Sequence, residues 1–547
     1  MNRRDGWREI ALVVAGFAAL TVAFTFPLAF HLGSVGRVDN GDGQFSIWNV
    51  AWVARALVLD PLHVFDANIF YPHRLTLAYS ESNLGAGALA VPVYWSTRNA
   101  YAAHNFVLLV SFVLSALGMY LLVRELTADR RAAIAPAIAF AFCPYVSSHL
   151  PHIQLLWTAG LPFAALAFHR LADRPGLSRA AALGLVIAAQ AYFCGYYAVF
   201  VTLIVGLATL VAPAARGGWT NRRYWTAVVV AAAIAIVSAL PVAVPYFELQ
   251  RSTGFTRTVQ NTRQFSAGWR AFFSSAAYAH AWMTTWIGEW KREACFPGFV
   301  ALIFGGVGAV AGWRAGGRRR ETAGLYAAIG VLALWSAFGP AGGLYSVFYE
   351  TIPMFSFLRA PSRFGIVVDF AVCVLAGVGI ASVLARTRKP TLVGASIAVV
   401  AFAELVVPIT FPRVAPVDEG YRVLATLPPG PLLELPVYSP RFAFVREQYM
   451  LASTIHWMPL IDAYSDYIPP DFVAQAEKLA DFPSRDAFAV LQPMQARYAV
   501  FHPDAYDAVS RAALNDRLRQ FAAFVRRRYA DDRLWVYEIV AFPSGAQ

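Results

Sequence analysis

The sequence predicts a polytopic α-helical membrane protein with a small α/β domain at its C-terminal end. Three observations carry this expectation. The chain has 547 residues, of which 58% are hydrophobic and only 14% charged, whereas a soluble domain carries about 25% charged residues. Apolar runs recur from about residue 9 to about residue 411 and then stop. The roughly 135 residues that remain alternate strand and helix patterns and are the size of one small domain.

About eleven runs are long enough to count as candidate spans: 9–30, 103–123, 132–148, 153–169, 180–196, 197–213, 224–245, 297–313, 322–338, 364–385 and 391–411. The first follows "MNRRDGWRE" with no A-x-A-like site after it, so it is expected to be an uncleaved span. The net charge of +12 would by itself suit nucleic acid, but the positions of the charges decide otherwise. Arg3, Arg4 and Arg8 precede the first span, and Arg124, Arg130 and Arg131 follow the second. Arg170, Arg174 and Arg179, then Arg216, Arg222 and Arg223, then Arg314, Arg318, Arg319 and Arg320, and finally Arg386, Arg388 and Lys389 occupy the alternate links. Short basic links in alternation mark cytoplasmic loops. The N-terminus is therefore expected inside and the C-terminal part outside, with no nucleic-acid partner. The long links, 31–102, 246–296 and 339–363, fall on the outer side.

This gives a membrane portion over 1–412, with a large first outer loop (31–102), and an extracytoplasmic α/β domain over 413–547. In the latter, "PLLELPV", "RYAVFHP" and "RLWVYEIV" read as strands. "DFVAQAEKLADF", "SRDAFAVLQPM" and "AYDAVSRAALNDRLRQFAAFV" read as amphipathic helices. Cys143, Cys194, Cys295 and Cys373 show no CxxC spacing, so neither a disulfide nor a zinc framework is expected.

The first outer loop opens on "RVDNGDGQFSIWN". Asp39 and Asp42 stand where the first span leaves the bilayer and an apolar helix begins, with Trp48, Trp52 and Arg55 at helical spacing. That helix is expected to lie along the interface. Capping accounts for Asp42 as readily as chemistry does, since a carboxylate suits a helix N-terminus. Calcium does not fit: counted from Asp39, the third loop position is Gly41 and the twelfth is Val50.

"DNGDGQFSIWNVAWVARAL", "DPLHVFDANIFYP", "TLAYSES" and "LRAPSRF" resemble bacterial membrane sugar transferases of the GT-C superfamily. These include protein O-mannosyltransferases and the aminoarabinose transferase of lipid A. The resemblance implies a GT-C membrane fold and transfer of a sugar from a polyprenyl-phosphate carrier to a glycan, lipid or protein acceptor. By that likeness Asp42 is the catalytic base, with Asp39 its neighbour in a paired-acid motif. The site is then expected on the extracytoplasmic side of the cytoplasmic (inner) membrane.

Chemistry asks for the same residue types. A base must come within about 2.6–3.2 Å of the acceptor hydroxyl, and the departing lipid phosphate needs fixed donors. Arg359 and Arg363 in "FLRAPSRFG" offer planar forks for phosphate oxygens; as residues of the interface they would simply snorkel. His149, His152 and Gln154 crowd a short outer link in "CPYVSSHLPHIQLLW", where polar groups need partners or a role. The two histidines would need an acidic third ligand to hold a metal, so a divalent ion is left open as cofactor. Glu81 is a further acid, suited to sugar hydroxyls or a cation, or else simply solvated. Tyr196 and Tyr197 fit an aromatic belt, and Glu404 is an acid inside the last span. "GGVGAVAG" (305–312) is read as a packing surface within a span. A lipid-linked-sugar flippase and a non-catalytic polymer-binding scaffold are the competing functions.

Overall fold

The computed structural model describes residues 3–38, 41–287 and 293–544. The chain forms two compact units, Met1–His31 with Asn105–Thr410, and Leu32–His104 with Phe411–Gln547.

The first unit is a helical bundle. Each of the eleven apolar runs becomes helix, some broken into two. Among the described residues six stretches are long and apolar enough to cross a membrane: Gly6–Phe24, Ala100–Thr127, Ile153–Asp173, Gly195–Arg216, Arg222–Thr253 and Pro361–Leu384. Ile134–Ser148, Leu177–Phe193, Phe299–Ala315 and Pro390–Leu405 are apolar but shorter. The remaining run, 322–338, lies in the Gly317–Ala337 helix, whose first turn carries Arg318, Arg319 and Arg320.

Ion pairs gather the basic links. Arg170 meets Glu125 at 2.9 Å, Arg216 meets Glu321 at 2.7 Å and Asp173 at 3.1 Å, and Arg318 also pairs with Asp173. The links that alternate in sequence therefore come together in space. A cavity of about 700 Å³ opens among them, but Arg216 and Arg318 on its wall are already neutralised by Asp173 and Glu321.

The glycine-rich run does what small residues allow. A Cβ on Gly308 would overlap the Leu375 carbonyl oxygen, and one on Gly379 would overlap that of Phe304. The Phe299–Ala315 and Gly365–Leu384 helices thus touch backbone to backbone. Glu404 is occupied structurally. It accepts from the Val300 amide at 3.1 Å and from that of Phe299, and meets His280 Nε2 at 2.9 Å. His280 Nδ1 in turn reaches Ser275 Oγ at 2.7 Å. The Ser–His–Glu order imitates a hydrolase triad, yet His280 is 0% exposed and Ser275 is buried, so no substrate reaches the hydroxyl.

In the second unit the Gly41–Leu59 helix is buried along most of its length, Trp48, Val50, Ala51, Val53 and Ala54 completely. A helix apolar all round is a core helix. Val58, Leu59 and Leu62 at its far end stay exposed. Trp52 Nε1 donates to the Val64 carbonyl at 2.9 Å. A four-stranded sheet runs β1 (Leu432–Leu435), β2 (Tyr498–Phe501), β4 (Trp535–Ile539), β3 (Val525–Ala530) in spatial order. β1 and β2 are parallel, with Leu433 beside Ala499; the other pairs are antiparallel. Both parallel strands are wholly buried, as parallel strands usually are. β3 begins at Val525, the last residue of the sequence read as helix. There the Ala508–Gln520 helix ends four residues before the strand begins.

The early loop is woven into this unit. The Tyr71 amide donates to the Leu460 carbonyl at 2.8 Å, and the Leu460 amide to that of Asn68 at 3.0 Å. The buried Asn68 side chain accepts from Trp48 Nε1 at 3.1 Å and donates to Ser453 Oγ at 3.1 Å and the Met458 carbonyl at 3.2 Å.

Candidate functional site

Asp42 lies in the first turn of the Gly41–Leu59 helix, one residue inside its start, and is exposed. Its charge suits the positive end of the helix dipole. Gln44 Nε2 donates to the Val38 carbonyl at 3.0 Å and ties that turn to the chain before it. Asp39 lies outside the described residues. Glu81 is half-buried in the same unit as Asp42. Its backbone carbonyl accepts from Asn49 Nδ2 at 3.1 Å, on the helix that carries Asp42. Two acids that the sequence does not single out belong to this surrounding: Glu447, buried against Gly41 and close enough to feel the charge of Asp42, and Asp466, which also bears on Glu447 and accepts from Ser80 Oγ at 3.2 Å. Nothing in their local pattern marks them, because more than 400 residues of chain separate them from Asp42.

A second group assembles in the helical unit. Arg363 falls in the 3-10 turn Pro361–Phe364 that opens the Gly365–Leu384 helix. It is only 8% exposed, with its guanidinium carbon 4.0 Å from the Tyr196 ring centroid. A cation over an aromatic face within about 6 Å is favourable, so Arg363 does not snorkel. Arg359 lies just before the turn. Its amide donates to Tyr196 Oη at 2.7 Å and its guanidinium stands over Phe265. Tyr196 and Tyr197 are both buried, so they serve this group and not a lipid-facing belt.

His149 closes the short Pro144–Ser148 helix and His152 precedes the Ile153–Leu156 helix, with ring centroids 6.0 Å apart. Pro151 breaks any regular helix between them. His149 Nδ1 lies 2.7 Å from the Tyr145 carbonyl, which fixes the proton there and leaves Nε2 facing Glu293 Oε2 at 3.8 Å. The other Glu293 oxygen accepts from Ser362 Oγ at 2.7 Å. Burial holds both imidazoles below the usual histidine value; His149, Arg363 and Arg359 push His152 the same way. Gln154 is half-buried on the neighbouring short helix, and among the described residues no hydrogen bond joins its side chain to this group. Glu293 and Ser362 complete the group unforeseen, and Tyr196 joins it in place of the expected belt.

Among the described residues no group of three or more His, Cys, Asp or Glu is arranged to hold a metal ion. His149 and His152 form no such group with Glu293. Glu434 and Asp462 are interior groups, and His456 is half-buried. Glu434 meets His502 Nε2 at 2.9 Å, His456 Nδ1 accepts from the Met458 amide at 3.0 Å, and Asp462 accepts from the Glu434 amide at 3.3 Å.

No protein-family model and no curated protein matches the sequence. Solved structures do. The chain is similar to the mycobacterial arabinofuranosyltransferase AftD, with a TM-score of 0.59 and 14% identity over 98% of this chain and 40% of AftD. The chain shares the fold of that enzyme, a GT-C glycosyltransferase. The chain spans about two fifths of the length of AftD. Two further GT-C structures align less well. The oligosaccharyltransferase of Archaeoglobus fulgidus has a TM-score of 0.49 and 12% identity over 90% of this chain and 70% of its own. ArnT from Cupriavidus metallidurans, solved bound to undecaprenyl phosphate, has 0.44 and 15% over 98% of each.

Proposed function

We propose that this GT-C chain transfers a glycosyl group from a polyprenyl-phosphate donor to a glycan, lipid or protein acceptor at the outer face of the cytoplasmic membrane. Asp42 is the base. It takes the acceptor hydroxyl proton as the acceptor oxygen bonds to the anomeric carbon. The bond from that carbon to the phosphate oxygen breaks, its electron pair leaves on the lipid phosphate, and the configuration inverts. Arg363 and Arg359 receive the phosphate charge through guanidinium donors. His149 and His152 line the same group, and Glu81 contacts sugar hydroxyls. Asp39 is assigned beside Asp42 as the second acid of the motif, and Gln154 to substrate contact.

The observation that carries this reading is the grouping of Arg359, Arg363, His149 and His152, from stretches some two hundred residues apart, within a GT-C fold. A set of donors around a rigid aromatic floor supports anion binding better than either competing function. The purified protein, given candidate polyprenyl-phosphate sugars, should release polyprenyl phosphate. Asp42→Asn should lower that rate by about 100- to 10,000-fold without unfolding the chain. If Asp42→Asn leaves release untouched, the base is elsewhere; if lipid-linked sugar crosses vesicles unhydrolysed, the flippase reading replaces this one.

A further inference from the structure

Glu447 has a setting that neither the sequence nor the proposed reaction accounts for. It opens the Glu447–Ala452 helix, is 1% exposed, and packs with that helix against the Gly41–Leu59 helix. Its Oε2 presses on Gly41, so closely that a Cβ there would overlap it. Its Oε2 has no hydrogen-bond partner among the described residues. The charges that bear on it are those of Asp42, on the helix it packs against, and Asp466, in the segment that follows. Both are negative. Arg446, its neighbour in sequence, turns away to the Ala463 carbonyl at 3.2 Å and stands over Phe472.

Acids crowded together out of water do not all ionise. Burial, then Asp42 and Asp466, push Glu447 up to about 9, while the dipole of the Gly41–Leu59 helix pulls the other way with a smaller effect. At neutral pH the group carries its proton, and a protonated carboxyl is a hydrogen-bond donor where a carboxylate is not.

We propose that Glu447 is a positioning residue for Asp42, donating a hydrogen bond that holds the Asp42 carboxylate toward the incoming hydroxyl. This rests on Asp42 being the base. During transfer the hydroxyl proton passes to Asp42, and the Glu447 proton stays where it is. An acid from the far end of the chain thereby completes a base from its beginning.

Two readouts on the full-length protein test it. Infrared difference spectra of wild type against Glu447→Gln should show a protonated-carboxyl band at pH 7 that titrates away near pH 9, and Asp42→Asn should move that loss to lower pH. In turnover, Glu447→Ala should lose at least about a hundredfold in kcat/KM. Glu447→Gln, which stays neutral and keeps a donor, should lose about tenfold and lack the alkaline fall in rate that wild type shows. No such band, or a band indifferent to Asp42→Asn, overturns the proposal whether or not the enzyme turns over. So does a folded Glu447→Gln as inactive as Glu447→Ala, since an ionised carboxylate would then be needed. The expected bands with no turnover of any donor by wild type would instead sink the transferase reading.

Discussion

Asn68→Ala tests whether the early loop and the C-terminal segment fold as one body. The substitution removes the acceptor of Trp48 Nε1 and the donor to the Met458 carbonyl. Ser453 loses one partner but keeps its bond to the Met450 carbonyl at 2.7 Å. Two polar groups are left stranded in a place where Trp48 and Ser453 are 0% exposed. Each stranded group costs about 1–3 kcal/mol, so the pair should cost about 4 kcal/mol. At about 2–4 °C per kcal/mol for a unit of this size, its melting temperature should fall by about 12 °C. Asn68→Asp should do no better. It keeps the acceptor for Trp48 but sets a buried charge against the Met458 carbonyl. Tryptophan fluorescence during thermal unfolding of the detergent-purified chain reads both. A shift under about 3 °C for Asn68→Ala, or recovery in Asn68→Asp, would refute the reasoning.

Arg363→Ala should raise the donor KM by about 30-fold, and Arg363→Lys should recover little of it, because a lysine neither forks nor lies flat on Tyr196; initial rates against donor concentration decide. Gly308→Ala should force two helices apart and cost about 1–3 kcal/mol. Gly306→Ala, which meets nothing within 4 Å, should be tolerated in the same melting experiment. Burial holds His456 down to about 3, against an ordinary value of 6.5. The unfolded chain binds the proton first, so this stability is complete above pH 6.5 and drains away as pH falls towards 3. Asp462, pushed up to about 7 by burial, contributes in the opposite sense, losing stability as pH rises through 7. Melting temperatures between pH 6 and 4 should therefore fall less steeply in His456→Gln than in wild type, a difference from which Asp462 cancels.

Hydropathy made the helices of the first unit legible because a bilayer imposes a single long-range pattern on every span. The same pattern hid what lies between spans. Arg359, Arg363, His149 and His152 stood out as costly polar residues near span ends. Glu293 did not, because it sits in a polar link where an acid is ordinary, and only the fold brings it to His149 and Ser362. β3 went unseen because Val525, where it begins, closed a run read as helix; the exposed Arg526 and Arg527 that follow blunt the free edge of a sheet. Glu447 was unreadable for a different reason. Its meaning depends on Gly41, and one sequence offers no sign that two such distant residues touch.

The composition of the second unit sets an order of events during synthesis. Residues 32–104 leave the ribosome first, yet the surfaces that receive them lie beyond Thr410. At about 5–20 residues per second, the intervening stretch takes roughly 15 to 60 s to make. Through that interval Trp52 and Phe70 lack Trp457 and Phe472, the rings that meet them in the finished protein. A nascent chain halted at residue 410 should therefore be far more sensitive to protease between 41 and 97 than the finished protein, and should depend on the lipid surface or a holding chaperone to stay competent.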